Sequence, residues 1–324
     1  MTINNTSDTM DTPPRSQGTM WTVAFGFEAF VIVVANSLTV AVFATGRQMR
    51  KRSTYCLINL SMADLLVGAV PMPMWVYLVG AQYQLWEFSW DIQSWNKVYF
   101  PIDQICAFAS IFCLVLLSLE RIYATIAPLQ HRRMSGGCYA FAISFVWLFS
   151  CTISLSSYMS LSLFNSRTLS TYIPMTALCI SVILLCIAYS SIWVSFRWQR
   201  FDTGFYNGRA MLFERKLVKT LFIVTAASLT AWLPFVIVST AVSLHDVNVD
   251  FSTVLAVKML HYTNSLINPI IYTFRMRNFR RALFGLLKTR LITMSSSTLH
   301  IPLETQRQLR EKCLRRLGSS DTKL

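Results

Sequence analysis

Long apolar runs separated by short polar segments fill the sequence between about residue 20 and residue 274. Apolar residues follow one another within these runs instead of alternating with polar ones, which indicates helices surrounded by lipid. A helix needs about 20 mostly apolar residues to cross the hydrocarbon core, where lipid offers no partner to the backbone of a strand or loop. This criterion predicts an all-α membrane protein with seven transmembrane helices: Met20–Thr45, Ser53–Val79, Lys97–Ile126, Cys138–Met159, Thr171–Phe196, Leu217–Leu244 and Phe251–Phe274.

Basic residues alternate between the two sides of these predicted helices. They cluster after the first, third, fifth and seventh spans, whereas the segments after the even-numbered spans are poor in Lys and Arg. Such clusters mark the cytoplasmic side of a membrane protein. With an odd number of spans, the amino terminus is therefore predicted outside and the carboxyl terminus in the cytosol.

The overall composition favours the same class of protein. Hydrophobic residues make up 54% of the chain and charged residues only 14%, against about 25% charged in a soluble domain. The net charge of +14 does not indicate a nucleic-acid-binding protein, because the basic residues lie beside the spans and in the tail, where they suit the anionic inner leaflet of the bilayer.

The remaining segments are polar or amphipathic. After Phe274, apolar residues recur at helical spacing with basic residues between them, which predicts an interfacial helix on the cytoplasmic leaflet. The overlapping acceptors at Asn4 and Asn5 predict glycosylation of an extracellular end, and no cysteine lies clearly in an extracellular loop, so no disulfide framework is expected. The predicted organisation is an extracellular amino terminus, the seven-helix bundle, the amphipathic helix and a cytoplasmic tail: residues 1–19, 20–274, 275–290 and 291–324.

Several polar residues fall in the middle of the predicted spans. A lone carboxylate in lipid is several kcal/mol unfavourable, so an intramembrane Asp requires partners and is a candidate functional residue. Hydroxyls and amides in the third and seventh spans can supply these partners, with or without a bound cation. The set comprises Asp64, Ser110, Asn264, Ser265 and Asn268.

Seven landmarks, one in each predicted span, together resemble the signature of the rhodopsin-like G-protein-coupled receptors. The landmarks are Asn36, Leu60-Ser61-Met62-Ala63-Asp64, Glu120-Arg121-Ile122-Tyr123, Trp147, Tyr189, Trp232-Leu233-Pro234 and Asn268-Pro269-Ile270-Ile271-Tyr272. The resemblance covers about residues 20–290 and implies a plasma-membrane receptor, not an enzyme. It also implies a small-molecule agonist, a heterotrimeric G protein, arrestin and a receptor kinase as partners.

The resemblance further assigns roles to residues near the cytoplasmic side. Arg121, beside Glu120, is expected to pair with Glu214 across helices, holding the sixth helix inward until activation. Pro128 and Leu129 resemble the apolar knob that docks the G protein. The remaining switch residues are the pivot of the sixth helix, two tyrosines and the kink of the seventh helix: Trp232, Pro234, Tyr189, Tyr272 and Pro269. By the same resemblance, Asp64 and its four polar neighbours form an allosteric sodium site, and no other cofactor is expected.

Asp103 is the main candidate for ligand binding. It lies 18 residues before Arg121, about 27 Å along the same helix face, and it matches the aspartate that binds a protonated amine in aminergic receptors. Lys258 lies one turn from Tyr262 on the seventh helix, and the sequence leaves open whether it pairs with Asp103 or with Glu28. The predicted ligand-binding residues are Asp103, Cys106, Trp232, Phe235, Lys258 and Tyr262.

Departures from the family pattern keep other ligands open. Asn96 replaces the usual outer cysteine of the third span, and Ser181 replaces the usual proline of the fifth span. These features resemble the melanocortin, cannabinoid and lysophospholipid receptors, and the stretch from Asn264 to Arg275 resembles the melanocortin and adenosine receptors. A lipid, nucleoside or peptide ligand is therefore an alternative to a biogenic amine. A retinal photoreceptor would need a lysine at the position of Tyr262, and a transporter would be expected to show internal repeats.

Overall fold

A computed structural model of the chain describes residues 14–46, 54–202, 208–245 and 247–298, together with residue 308. Side chains are described within these ranges except at positions 93, 128, 132, 193, 195–202, 208–218, 221, 245 and 290–298. The described residues form ten helices and no strand: α1 (Arg15–Thr45), α2 (Thr54–Ala69), α3 (Pro71–Gln82), α4 (Ile92–Ile126), α5 (Pro128–Arg133), α6 (Gly136–Ser162), α7 (Arg167–Asp202), α8 (Gly208–His245), α9 (Phe251–Arg275) and α10 (Arg277–Thr298).

Within the described residues, six segments are long and apolar enough to cross a membrane. These are α1, the combined α2 and α3, α4, α6, α7 and α8. The seventh predicted span, α9, has 25 residues and a length of about 37 Å. It does not pass the same hydropathy criterion because it carries Lys258, His261 and several buried amides and hydroxyls.

The bundle is apolar outside and polar inside. Large side chains such as Phe27 and Phe141 are 68% and 74% exposed, whereas Asn36, Asp64 and Asn268 are fully buried. This distribution is expected of a protein surrounded by lipid, because polar groups gain by facing one another inside the bundle.

The helix α4 lies at the centre of the bundle. It contacts α2, α6, α7 and α8, while α1 packs against α2, α3 and α9. Asn59 of α2 makes polar contacts with α4 and α6: its amide nitrogen lies 2.8 Å from the Cys113 sulfur, and its Oδ1 accepts from the Trp147 indole at 3.0 Å. The central position of α4 places its residues beside most of the other helices.

The second predicted span, Ser53–Val79, is present but is interrupted at Val70, so that it comprises the two helices α2 and α3. Val70 has φ −123° and ψ −71°, and Pro71 begins α3. Proline disfavours a helical conformation in the residue before it and is tolerated at the start of a helix. Asp91 and Asp250 begin α4 and α9 as N-caps, accepting from the backbone N–H groups of Ser94 and Ser252 at 2.9 and 3.0 Å.

The helix after the bundle is longer than predicted. It begins at Arg277, after a break at Met276, and continues to Thr298, beyond the predicted end at residue 290. Its apolar Phe279 is buried against Phe43 and Tyr272, whereas its location on a membrane surface stays a prediction. Asn4 and Asn5 lie outside the described residues.

Candidate functional site

Asp103, Lys258 and Tyr262 form one buried polar group at the end of the bundle away from Arg121. The Lys258 ammonium donates to Asp103 Oδ2 at 2.5 Å, and the Tyr262 hydroxyl donates to Oδ1 at 3.1 Å. The Tyr99 hydroxyl lies 2.8 Å from that of Tyr262, and because the Tyr262 proton is directed to Asp103, Tyr99 is the donor. Lys258 therefore pairs with Asp103, while Glu28 accepts from the Thr263 hydroxyl at 2.7 Å.

Four aromatic rings surround the Lys258 ammonium. The nitrogen lies 4.7 Å from the ring centroids of Phe235 and Tyr262, 5.6 Å from Tyr99 and 5.7 Å from Trp75. Ring faces attract a cation within about 6 Å. The cation in this shell belongs to the protein itself. Phe235, a predicted ligand-binding residue, belongs to this shell, whereas Trp232 is not one of these four rings.

Trp232 instead contacts His261, which lies three residues after Lys258. Their ring centroids are 4.2 Å apart in an edge-to-face arrangement, and the His261 ring stacks on Phe235 at 4.7 Å. Cys106 is buried and belongs to the apolar cluster that includes Tyr99 and Tyr262. Tyr99, Trp75 and His261 are not among the binding residues predicted from the sequence.

Asp64 lies in a second polar cluster deeper in the bundle. Its two carboxylate oxygens accept from the Ser110 hydroxyl at 2.9 Å and from the Asn268 amide at 2.6 Å. Asn36 donates to the Ser265 backbone carbonyl at 3.0 Å. Among the described residues, the side-chain oxygens of Asn264 and Asn268 and the hydroxyl of Ser61 are buried without a hydrogen-bond partner. These unsatisfied oxygens suit a hard cation, which prefers oxygen ligands.

A cavity of about 10 Å³ lies between the two clusters, roughly the room of one water molecule. Its lining includes Asp103, Ser110, Trp232, His261, Asn264 and Ser265.

Arg121 lies near the other end of α4 and is buried together with Glu120. Its Nη2 and Nε atoms lie 2.5 and 2.6 Å from Glu120 Oε2. The other Glu120 oxygen accepts from His131 Nε2 at 2.6 Å and from the Tyr139 hydroxyl at 3.2 Å. Glu120 thus joins α4, the short helix α5 and α6. The predicted partner Glu214 lies among the residues whose side chains are not described.

The other predicted switch residues lie outside the group formed by Arg121 and Glu120. The Tyr189 hydroxyl accepts from Ser118 at 3.1 Å and lies 2.8 Å from the Thr225 hydroxyl, which links α7 to α4 and α8. The ring of Tyr272 packs on Phe43, and its buried hydroxyl has no partner among the described residues. Pro234 and Pro269 lie inside α8 and α9.

The predicted G-protein contact lies in the short helix α5. Pro128 begins this helix, and Leu129 after it is 70% exposed, but the side chain of Pro128 is outside the described set. His131 and Tyr139 were not predicted as functional residues. No sequence pattern indicates that α5 folds back so that His131 reaches Glu120.

Comparison with known proteins decides the family. The model of the seven-transmembrane receptors of the rhodopsin family matches residues 35–272. The chain belongs to this family. The fold is thus a seven-transmembrane helix bundle in a multi-pass membrane protein, and the family is one of receptors rather than enzymes.

The chain is similar to individual receptors for peptides and for amines. The chain is 28% identical to the allatostatin-A receptor of Bombyx mori, over 80% of this chain and 77% of that receptor. It is 27% identical to trace amine-associated receptor 7h of Rattus norvegicus, over 86% and 84% of the two chains. It is also 26% identical to the histamine H2 receptor of Cavia porcellus, over 87% and 83%.

Proposed function

We propose that this receptor binds a small extracellular ligand with a protonated amine at Asp103 and activates a heterotrimeric G protein at the end of the bundle that carries Arg121. It does so in the plasma membrane with its amino terminus outside. The main support is the buried carboxylate of Asp103, together with the aromatic shell that surrounds a cation beside it. Receptors similar to this chain, among them a trace amine-associated and a histamine receptor, are named for amines.

The surroundings of Asp103 suit an ammonium group for two physical reasons. Charged hydrogen bonds to a carboxylate are stronger than neutral ones, and aromatic faces stabilise a desolvated cation by about 2 kcal/mol. Lys258 makes both interactions in the structure. An incoming ammonium group therefore competes with Lys258 for the same carboxylate.

A chain of ring contacts links this site to the proposed pivot of α8. Displacement of Lys258 alters the packing of Phe235 and His261, and His261 rests on Trp232, two residues before Pro234. An agonist that binds better to the state with α8 moved outward shifts the population towards that state. At the other end, release of Arg121 from Glu120, and from the proposed partner Glu214, then opens a surface for the G protein.

The Asp64 cluster suits an allosteric sodium ion. Asp64, Ser110, Asn264, Ser265 and Asn268 would hold it, since they supply a carboxylate, hydroxyls and amide oxygens of which some lack partners. Bound sodium would neutralise the Asp64 charge. The cluster lies between α2, α4 and α9, so occupation would favour the arrangement in which these helices stay together. Arrestin and a receptor kinase remain further proposed partners.

The proposal is tested by G-protein activation in cells that express the wild type, Asp103→Asn or Glu87→Gln. Glu87 is exposed outside the helices, so its variant controls for loss of one carboxylate. A panel of amines, nucleosides, lipids and short peptides is assayed by cAMP and calcium, with surface expression measured in parallel. We expect an active amine whose effect is lost only in Asp103→Asn. A peptide, lipid or nucleoside that activates the wild type and Asp103→Asn equally well would favour the alternative ligand class.

A further inference from the structure

The ion pair of Asp103 and Lys258 sets a condition on any ligand that uses this site. The two side chains are only 9% and 4% exposed. A ligand that brings an ammonium group alone gains Asp103 but leaves Lys258 as a buried cation without its partner. Breaking a buried pair in this way is strongly unfavourable.

The aromatic shell strengthens this condition. The Lys258 nitrogen is already surrounded by the rings of Phe235, Tyr262, Tyr99 and Trp75. A ligand ammonium can therefore contact these rings only if Lys258 moves away. A lysine side chain is a flexible four-carbon stem with a point charge at its end. Lys258 can therefore move aside, but it needs a new anion when it does.

We propose that the ligand is a small zwitterion of the amino-acid class, whose ammonium pairs with Asp103 and whose carboxylate pairs with Lys258. Such a ligand replaces one buried ion pair by two and leaves neither protein charge alone. The inference rests on the proposed function, because it assumes that the ligand's amine binds Asp103. Within that function, Lys258 acts as a specificity residue that discriminates against simple amines.

Matched pairs of compounds test the inference. The probes are tyrosine and tyramine, histidine and histamine, and 4-aminobutyrate and propylamine, each pair differing by one carboxylate. They are applied to the wild type, Lys258→Met and the control Lys97→Met, which removes an exposed lysine near the start of α4. The readouts are G-protein activation and the ligand-induced shift in melting temperature of the purified receptor.

We expect at least one zwitterion to be tenfold or more potent than its amine at the wild type and at Lys97→Met. At Lys258→Met the order reverses, because Asp103 is then available and the partner of the carboxylate is gone. The double variant Asp103→Asn with Lys258→Met keeps a neutral pair and secures a folded reference if Lys258→Met is poorly expressed. It should respond to neither member of the pair.

Three outcomes overturn the inference. The first is an equal response of the wild type to both members of every pair, or silence of all probes at every variant. The second is an amine response of the wild type that disappears in Glu28→Gln, which means that Glu28 accepts the displaced Lys258. The third is an amine response of Lys258→Met without any zwitterion response of the wild type, which leaves amine binding at Asp103 intact while removing the zwitterion. In contrast, an active probe that is unaffected by Asp103→Asn contradicts the proposed function itself.

Discussion

The imidazole of His261 meets the indole of Trp232 edge-on, with ring centroids 4.2 Å apart. His261 is three residues from Lys258 on α9, and its other face is covered by Phe235. The same ring therefore contacts the shell around the Lys258 ammonium and the side chain that precedes the proline of α8. This contact is one route from the ligand site to the proposed pivot, beside the direct contact of Phe235 with Trp232, whose ring centroids are 6.5 Å apart.

Replacement of His261 by alanine should uncouple the two ends of this route. Each aromatic pair contributes about 0.5–1.5 kcal/mol, so loss of the contact with Trp232 changes a two-state equilibrium by roughly fivefold. We expect a lower maximal response in a G-protein activation assay with little change in agonist affinity. His261→Phe, which keeps a ring, should retain most of the response.

Leu260→Ala serves as the control for this prediction, because Leu260 is the neighbouring residue of α9 and is 41% exposed. A normal maximal response in His261→Ala would show that the signal reaches α8 by other contacts.

The pair of Asp103 and Lys258 should be visible in thermal stability. Asp103→Asn and Lys258→Met each leave one buried charge alone, at a cost of about 3–5 kcal/mol. The double variant removes both charges and should recover much of this loss, since replacing a buried ion pair by neutral groups is often close to neutral. Melting of the purified receptor, followed by tryptophan fluorescence, measures the coupling between the two sites. Additive losses would mean that the side chains do not interact.

The proposed sodium site predicts a salt-specific effect on basal signalling. Sodium chloride, compared with choline chloride at the same concentration, should lower basal G-protein activation in the wild type. Asp64→Asn should abolish the difference because it removes the only carboxylate of the cluster, and Ser110→Ala should reduce it. A sodium effect that persists in Asp64→Asn would refute the assignment of these residues.

The contacts of Glu120 predict a rise in basal activity when they are weakened. Glu120→Gln removes the charge that holds Arg121 and should raise basal G-protein activation. Tyr139→Phe removes the hydrogen bond that the Tyr139 hydroxyl donates to the Glu120 carboxylate at 3.2 Å, worth about 1.5–3 kcal/mol because its acceptor is charged, and should cause a smaller rise than Glu120→Gln. Tyr55→Phe is the matched control, since Tyr55 lies beside Tyr139 but is 54% exposed. Equal basal activities of Tyr139→Phe and Tyr55→Phe would show that the hydrogen bond from Tyr139 to Glu120 does not restrain activation.

The polar residues that gather around Asp64 could be predicted from the sequence. The pairing of other polar residues in the transmembrane helices could not. Asp64, Ser110 and Asn268 were expected together because a carboxylate inside the bundle needs such partners. The choice of Lys258 between Asp103 and Glu28 depends on the rotation of α9, which hydropathy does not fix. Tyr99 lies one turn before Asp103 on the same helix face, so its role in the site was available from spacing alone.

Other features depend on local backbone geometry that the hydropathy pattern does not contain. The position of Trp75 in the aromatic shell follows the break at Val70, which a search for long apolar runs passes over. His131 reaches Glu120 because α5 folds back on the end of α4. The pairing of Arg121 with Glu214 stays a prediction.

The most direct test of the account is the distance between α4 and α8 at the end of the bundle that carries Arg121. Spin labels at Tyr123→Cys and Lys219→Cys, in a receptor whose exposed cysteines and Cys313 are replaced, report this distance by pulsed electron paramagnetic resonance. The account predicts that the distance lengthens when a nucleotide-free heterotrimeric G protein binds and shortens again when GTP releases it. An unchanged distance, in a sample that still catalyses nucleotide exchange, would contradict it.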